Sequence, residues 1–440
     1  MPARRRRLAP LLAAVAALLV PLAAGCSTDE DQPAPGAGQE VKLGLLAPLK
    51  GAQKGAGQAA QHGAQLAADV INGLNPSIQL PLAESAGLPD FGNARVKIVV
   101  QDTSGAEPEA AAANAVSRLV ADEGASVLIG AYDPQVTEFA SQRAERYEVP
   151  FLNADSPPTF LTDRGLDWFF RLGPSWRTAG EAYFSILRAQ EKANGAGARI
   201  AVLYSQDKAG QDVSTTVTRL AEEGGFPAPV GFPFSPTATD LGPTVDALRQ
   251  ARPEFDVVMV YATPETVKPL IAAFGSRQYR PKAAFSFGLG YLTTEDYRSS
   301  AAVVAGLARS VSWSSETADR NKPAHAVMDL YQQRFKTPMT EAAAASFTAV
   351  MTAAQAVNAA RSTDPAAIRT ALLSLDVPGD QTVMPWGGVQ FDETHQNVKA
   401  QVLIEQFVSF SFKVVYPGDA AGSRRLIYPA ADAAAQPGTP

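Results

Sequence analysis

The chain has 440 residues, 46% hydrophobic and 19% charged, with 38 basic and 44 acidic side chains and a formal net charge of −6. Removing the first 25 residues takes away four arginines and no acid, leaving 34 basic against 44 acidic side chains, a net charge of −10. That acidity, with no basic stripe carrying interleaved aromatics, argues against nucleic-acid binding, and the single cysteine excludes an internal disulfide.

Residues 1–25 read as a signal peptide. Arg4 to Arg7 form a positive n-region, and the uncharged run Leu8 to Gly25 is interrupted by Pro10 and Pro21. It is too short for a comfortable membrane span, which needs about 20 apolar residues. Ala23-Ala24-Gly25-Cys26 resembles a lipobox, with Ala23 where the commonest version has Leu. Cys26 is then the lipidation site, and a diacylglyceryl group supplies the stable attachment that one acyl chain does not. Two other readings stay open: an uncleaved N-terminal span, and ordinary cleavage that leaves a free thiol. Residues 26–40 lack apolar periodicity and are rich in Pro, Gly and acid, as a lipidated flexible tether would be. No second hydrophobic run reaches spanning length, so the body reads as soluble and extracytoplasmic, held at the cell membrane by its anchor.

From residue 41 onward, apolar strands alternate with amphipathic helices. Strands are expected at 41–47, 96–102, 126–132 and 149–153, with a helix in which Ala60, Ala64, Ala67 and Ile71 share a face and another over Glu107–Asp122. The pattern repeats with strands at 199–205, 256–262 and 283–288. Helices carrying Val213, Val217 and Leu220, then Val267, Leu270, Ile271 and Phe274, lie between them. After 303–313 the chain turns helical, with stripes through Met328, Tyr331 and Phe335 and through Ala343, Phe347, Val350, Ala354 and Val357. A third helix is capped by Asp364-Pro365, and strands return at 387–392 and 400–407. Continuous apolar strands between amphipathic helices mean βαβ units and parallel sheets covered on both faces. Nearly 400 residues are too many for one small core, so the fold class is α/β with two Rossmann-like lobes.

The ordered set resembles the branched-chain amino-acid type of periplasmic binding protein, the receptor subunit of ABC importers. The residues that carry the likeness are VKLGLLAPLKGAQKGAGQAAQHGAQLAADVIN, VKIVVQD, SVLIGAY, VPFLNADSPPTFLTDRGLDWFFR, GARIAVLYSQDKAGQD and FDETHQNVKAQVLIEQF ending in VVYP, from about Val41 to Pro417. The resemblance implies a discontinuous fold with a ligand cleft between its lobes. Lobe 1 takes 41–172 plus 314–377, lobe 2 takes 173–313 plus 378–417, and 418–440 is a polar C-terminal tail. A three-segment hinge near 172–175, 310–316 and 377–386 joins them. The implied partners are a small-molecule solute, membrane permease and ATPase subunits, and the bilayer through Cys26. The chain is expected to act as a monomer with no cofactor or metal.

Candidate ligand contacts lie just beyond strand ends, where open parallel sheets bind their ligands. They are Tyr132, Asp133 and Gln135 after the third strand and Asp155 and Ser156 after the fourth. In the second half they are Tyr204, Tyr261, Thr263, Phe287 and Tyr291. At the positions where the family holds an amino-acid carboxylate through hydroxyls and backbone N–H groups, this chain has Asp133-Pro134 and Pro157. Ala209 replaces the family's tyrosine, and Phe287 falls near its ammonium-pairing acid. An aspartate repels a carboxylate and a proline has no N–H. The expected solute is therefore not a standard branched-chain amino acid, but an aromatic, apolar or cation-bearing molecule. For the aromatics the competing role is core packing; for Asp133 and Asp155 it is capping or turn formation. Asp102 reads as a cap or turn residue, His62 as solvated surface and His395 as a turn position requiring special backbone geometry.

An enzyme is disfavoured, because there is no G-x-S-x-G, no thiol beyond Cys26 and no metal spacing among His62, His325 and His395. The Gly51–Gly57 turn matches no phosphate-binding motif. The alternative that keeps the fold is a lipid-anchored sensor or accessory protein without a transport role.

Overall fold

The computed structural model describes residues 38–105, 107–194, 197–288, 294–422 and 424–434. The signal segment, Cys26, most of the tether and Tyr291 lie outside the described residues.

Two sheets form the frame. The first joins β1 (Glu40–Ala47), β2 (Arg95–Asp102), β3 (Val127–Ile129), β4 (Phe151–Asn153) and β5 (Phe169–Arg171) in the order β2-β1-β3-β4-β5, all parallel. The second contains β6 (Ile200–Ser205), β7 (Val230–Phe234), β8 (Val257–Tyr261), β9 (Ala283–Phe287) and β10 (Leu307–Val311). A small ribbon follows in chain order, β11 (Asp376–Pro378) with β12 (Gly388–Gln390), and then β13 (Leu403–Val408) and β14 (Ser411–Tyr416). The second sheet runs β14-β13-β10-β9-β8-β6-β7, parallel from β7 to β10 and antiparallel at β13 and β14. Strands unannounced by the sequence are short (β5, β11) or on edges (β7, β14); β7 carries Pro233 and is largely exposed, as only an edge strand tolerates.

Helices α1 (Lys54–Asn72), α2 (Pro108–Ser117) and α3 (Pro134–Tyr147) connect the first sheet. The second is covered by α4 (Trp176–Asn194), α5 (Lys208–Gly224), α6 (Gly242–Gln250), α7 (Val267–Ser276), α8 (Thr294–Ser299) and α9 (Ala301–Val304). The chain then returns to the first core through α10 (Ser315–Ala318), α11 (Lys322–Phe335), α12 (Glu341–Ala360) and α13 (Pro365–Leu373). Two short helices, α14 (Gly418–Ala421) and α15 (Ala431–Ala434), follow the last strand. Asp364 caps α13 by accepting from Ala367 N, as its sequence signature predicts.

The chain passes between cores at 172–176, at 311–313 and between Phe391 and Val402. The third crossing comes later than expected. Val377, Val383, Met384, Trp386, Val389 and Phe391 all pack in the first core, because the β11–β12 ribbon folds these apolar side chains inward, so 378–391 belongs to lobe 1. The tail also differs from a free polar segment. Ile427 exchanges backbone bonds with the buried Gln406 side chain (2.8 and 3.0 Å), and Leu426 and Ala430 are buried.

Two histidines gain packing roles. His62 is half-buried rather than fully solvated: its ring stacks on Phe335 at 4.1 Å and 4°, and burial lowers its pKa. His395 adopts φ 60°, stacks on Phe170 at 4.5 Å, and its Nδ1 lies 3.1 Å from Phe169 O.

The first core depends on the close crossing of α1 and α12, both lined with small residues. A Cβ on Gly63 would stand 2.1 Å from Ala343 O, whereas one on Gly55 of the same helix meets nothing within 4 Å. Gly63→Ala is therefore expected to lower stability by about 1–3 kcal/mol, as overpacking does. Gly55→Ala should be neutral or raise it by up to about 1 kcal/mol through the helix backbone alone. Urea denaturation of the two variants checks this; similar effects at both positions would refute the close-packing account.

Candidate functional site

The carboxyl ends of the parallel strands of both sheets lead into the region between the lobes. Arg171, buried at the end of β5, laces two crossings together. Its guanidinium donates to Pro158 O, to Gln396 Oε1 and to Thr162 Oγ1 (2.9 Å), and its backbone exchanges bonds with His395 O and Asn397 N, each 2.9 Å. Asn397 Nδ2 reaches Leu172 O at 3.0 Å and Gln396 Nε2 reaches Gly173 O at 3.1 Å. Burial lowers the Arg171 pKa to about 10, so it stays charged at neutrality. Further contacts between the lobes are Thr159 N to Asp212 Oδ2 (2.7 Å), Thr159 to Thr216 through their hydroxyls (3.3 Å) and the Lys208–Glu138 ion pair.

In lobe 1, Asp102 holds a turn. Burial raises its pKa, but an ion pair with Lys50 (2.9 Å) and bonds from Ser104 and Leu49 N outweigh that and hold the carboxyl well below its ordinary range. Asp133 caps α3: its Oδ1 accepts from the backbone N–H of Gln135 (2.9 Å) and Val136 (3.1 Å), and its Oδ2 accepts from Gln53 Nε2 (3.0 Å). Gln135 is exposed on the first turn of that helix, and Tyr132 is half-buried beside it.

The loop after β4 is different. Asp155 has no hydrogen bond or ion pair in the described structure; it keeps some accessible surface although protein surrounds it. Desolvation, then the charge of Glu341, raises its pKa to about 7. Glu341 stands in the first turn of α12, accepts from Ser312 N on the second crossing, and is likewise pushed up by burial. Arg309, whose charge acts on Glu341, is already bound by Glu405 at 2.8 Å. Ser156 Oγ is buried without a partner.

In lobe 2, Tyr261 is buried and packs edge-on against Trp176 at 5.1 Å, at the end of β8. Tyr204 packs against the core of its own lobe, close to Gly231 on β7. Phe287 is fully buried against Tyr183, and Thr263 closes a turn with Thr266 (2.9 Å). Tyr132, Asp155 and Ser156 thus follow strands of the first sheet and Tyr261 ends β8 of the second, whereas Tyr204 and Phe287 pack in the core of lobe 2. Sequence reasoning missed Glu341, Trp176 and Trp313. The two tryptophans are buried with unpartnered indole N–H groups, and the one signal for them was their position on the crossing segments. A separate apolar cavity of about 80 Å³ opens on lobe 2 between α7, α9 and Ala430. Among the described residues no three His, Cys, Asp or Glu side chains are placed to hold a metal, and no helix is long and apolar enough to cross a membrane.

A family model described as periplasmic binding protein matches residues 40–407. The chain is 21% identical over 392 residues to a Leu/Ile/Val-binding protein homolog of Brucella abortus, covering 88% of this chain and 93% of the relative. Among solved structures it is similar to the leucine-binding protein LivK of Thermotoga maritima, with a TM-score of 0.69, 18% identity, and 85% of this chain and 97% of that one covered. It is also similar to a solute-binding protein of an ABC transporter from R. palustris in complex with 4-hydroxybenzoate, with a TM-score of 0.66, 16% identity, and 89% and 96% covered. At these identities the structural likeness concerns the fold alone.

A carboxyl whose pKa is higher in the folded than in the unfolded chain holds its proton more tightly when folded. Its stabilising effect is complete below the ordinary value of 3.8 and is lost as pH rises toward about 7. Asp155→Asn should accordingly match the parent in thermal midpoint near the ordinary carboxylate pKa and exceed it above neutrality. A lower midpoint at neutral pH would show that Asp155 has a stabilising partner.

Proposed function

The chain belongs to the periplasmic binding protein family, and from that premise we propose that it is the extracytoplasmic receptor of an ABC importer. It captures a small molecule between its lobes by closure about the three crossing segments and presents it to permease and ATPase subunits. Its fold is that of ABC-transporter solute-binding proteins, which supports a binding role over a catalytic one. On this reading the segment outside the described residues tethers the receptor to the membrane through lipid on Cys26.

One observation carries the ligand class. The N–H groups of Gln135 and Val136 at the start of α3 are the ready-made receptors for a carboxylate, yet both are already taken by Asp133. Pro134 offers no N–H, and Pro157 removes another donor from the loop after β4. A simple α-amino acid therefore loses the donors its carboxylate requires and meets an extra negative charge. The solute is instead aromatic, apolar or cation-bearing. That similar structures include both a leucine-binding protein and a complex with 4-hydroxybenzoate supports a fold that accepts varied solutes.

Three experiments test the proposal. Calorimetric titration with leucine, isoleucine and valine is expected to show no micromolar binding, and such binding by any of them overturns the ligand class. In a thermal-shift screen of a metabolite library, a true ligand at 100 times its dissociation constant stabilises the fold by about 2.7 kcal/mol; a screen without any shift overturns the receptor role. Cys26→Ser should release the protein from the membrane fraction, and retention there would reject the lipid anchor.

A further inference from the structure

Buried acids are ordinarily matched by cations, and here one pair is not. Asp155, at the carboxyl end of β4, feels the charge of Glu341, in the first turn of α12. Neither has an ion pair of its own: Arg309, which faces Glu341 from β10, is held by Glu405 of β13 at 2.8 Å and lies over the Phe412 ring at 3.6 Å. Among the described residues Glu341 is anchored by Ser312, through its backbone N–H and its side chain, and Asp155 by nothing. Two uncompensated carboxyls in protein surroundings are costly unless something neutralises them.

A second observation is independent of charge. Three buried donors around this pair lack acceptors: Ser156 Oγ, next to Asp155; Trp313 Nε1, one residue past Ser312; and Trp176 Nε1. Trp176 is tied to the same loop, its backbone N–H donating to Pro157 O at 2.8 Å, and its ring packs on Tyr261 within the core of lobe 2. Native proteins rarely leave buried donors unmatched, and a bound molecule is a standard way to match them.

We propose that Asp155 and Glu341 form the cation-reading end of the inter-lobe site, seating a cationic nitrogen of the solute between them, with an acceptor atom of the same solute facing the Ser156 and indole donors. This rests on the receptor reading above and narrows it to one solute class. The cation is remote from any carboxylate in that solute, because an α-carboxylate two bonds away would meet the same two acids. Primary ammonium, guanidinium and quaternary ammonium compounds fit. Because burial raises the pKa of both carboxyls, a cation seated between them favours their ionised forms, and affinity falls as pH drops below neutrality. The charged groups that share in this titration are Asp155, Glu341, Arg309 and Glu405.

The test is calorimetry of the tether-free chain with agmatine, choline and γ-aminobutyrate, set against leucine and 4-hydroxybenzoate, in buffers of differing ionisation enthalpy. The expected result is binding of at least one cationic probe with proton release near neutral pH. Asp155→Asn and Glu341→Gln should each weaken it about tenfold or more, the usual worth of a charge-assisted hydrogen bond. Asp155→Asn is expected to fold at least as stably as the parent, so a lost affinity reports on the site. Binding of 4-hydroxybenzoate or leucine alone, unaffected or strengthened by Asp155→Asn, overturns the cation site and leaves the receptor role standing. Absence of binding by all cationic probes also overturns it, and only a blank library screen removes the receptor role as well.

Discussion

Arg171 is the point on which the two-lobe arrangement turns. Its guanidinium is buried and binds Pro158 O, Thr162 and Gln396, while its backbone pairs with His395 and Asn397, more than 220 residues away in the chain. A buried charge is tolerated only when its donors are matched, so this residue requires the loop after β4, the end of β5 and the third crossing to meet at one place.

From that constraint the chemistry of the junction follows. Asp133 and Asp155 both follow strands of the same sheet, yet their environments separate them. Asp133 is satisfied by the N-terminus of α3 and by Gln53, and so serves structure. Asp155 has no such donors, and with Glu341 opposite it the carboxyl is driven up by burial first and by like charge second. Equal residue types at similar topological positions thus do opposite work, one filling the anion-binding end of a helix and the other creating demand for a cation.

Much of the frame was readable in the chain. The apolar runs at 41–47, 199–205, 256–262 and 283–288 became inner strands within a residue or two, because a strand buried on both faces must be continuously apolar, and the run at 96–102 became the edge strand β2. Long helices with a clean stripe or a capping signal, such as α12 and α13, were equally legible. The edge strand β7 and the final strand β14 were not, since exposure removes the apolar pattern that announces a strand. His62 was misread for a related reason: polar neighbours one turn away say nothing about Phe335, which arrives from a helix more than 250 residues later.

The sequence by itself determined the α/β class, the family likeness and the prolines at 134 and 157, which carry no N–H, because each of these is written in local patterns and residue identities. Only the tertiary structure decided that 378–391 packs in the first core, that Asp133 closes its own helix and that Asp155 faces Glu341. These are properties of contacts between segments far apart in the chain. Their energies depend on burial and on the distance between charges, and neither quantity exists until the chain has folded.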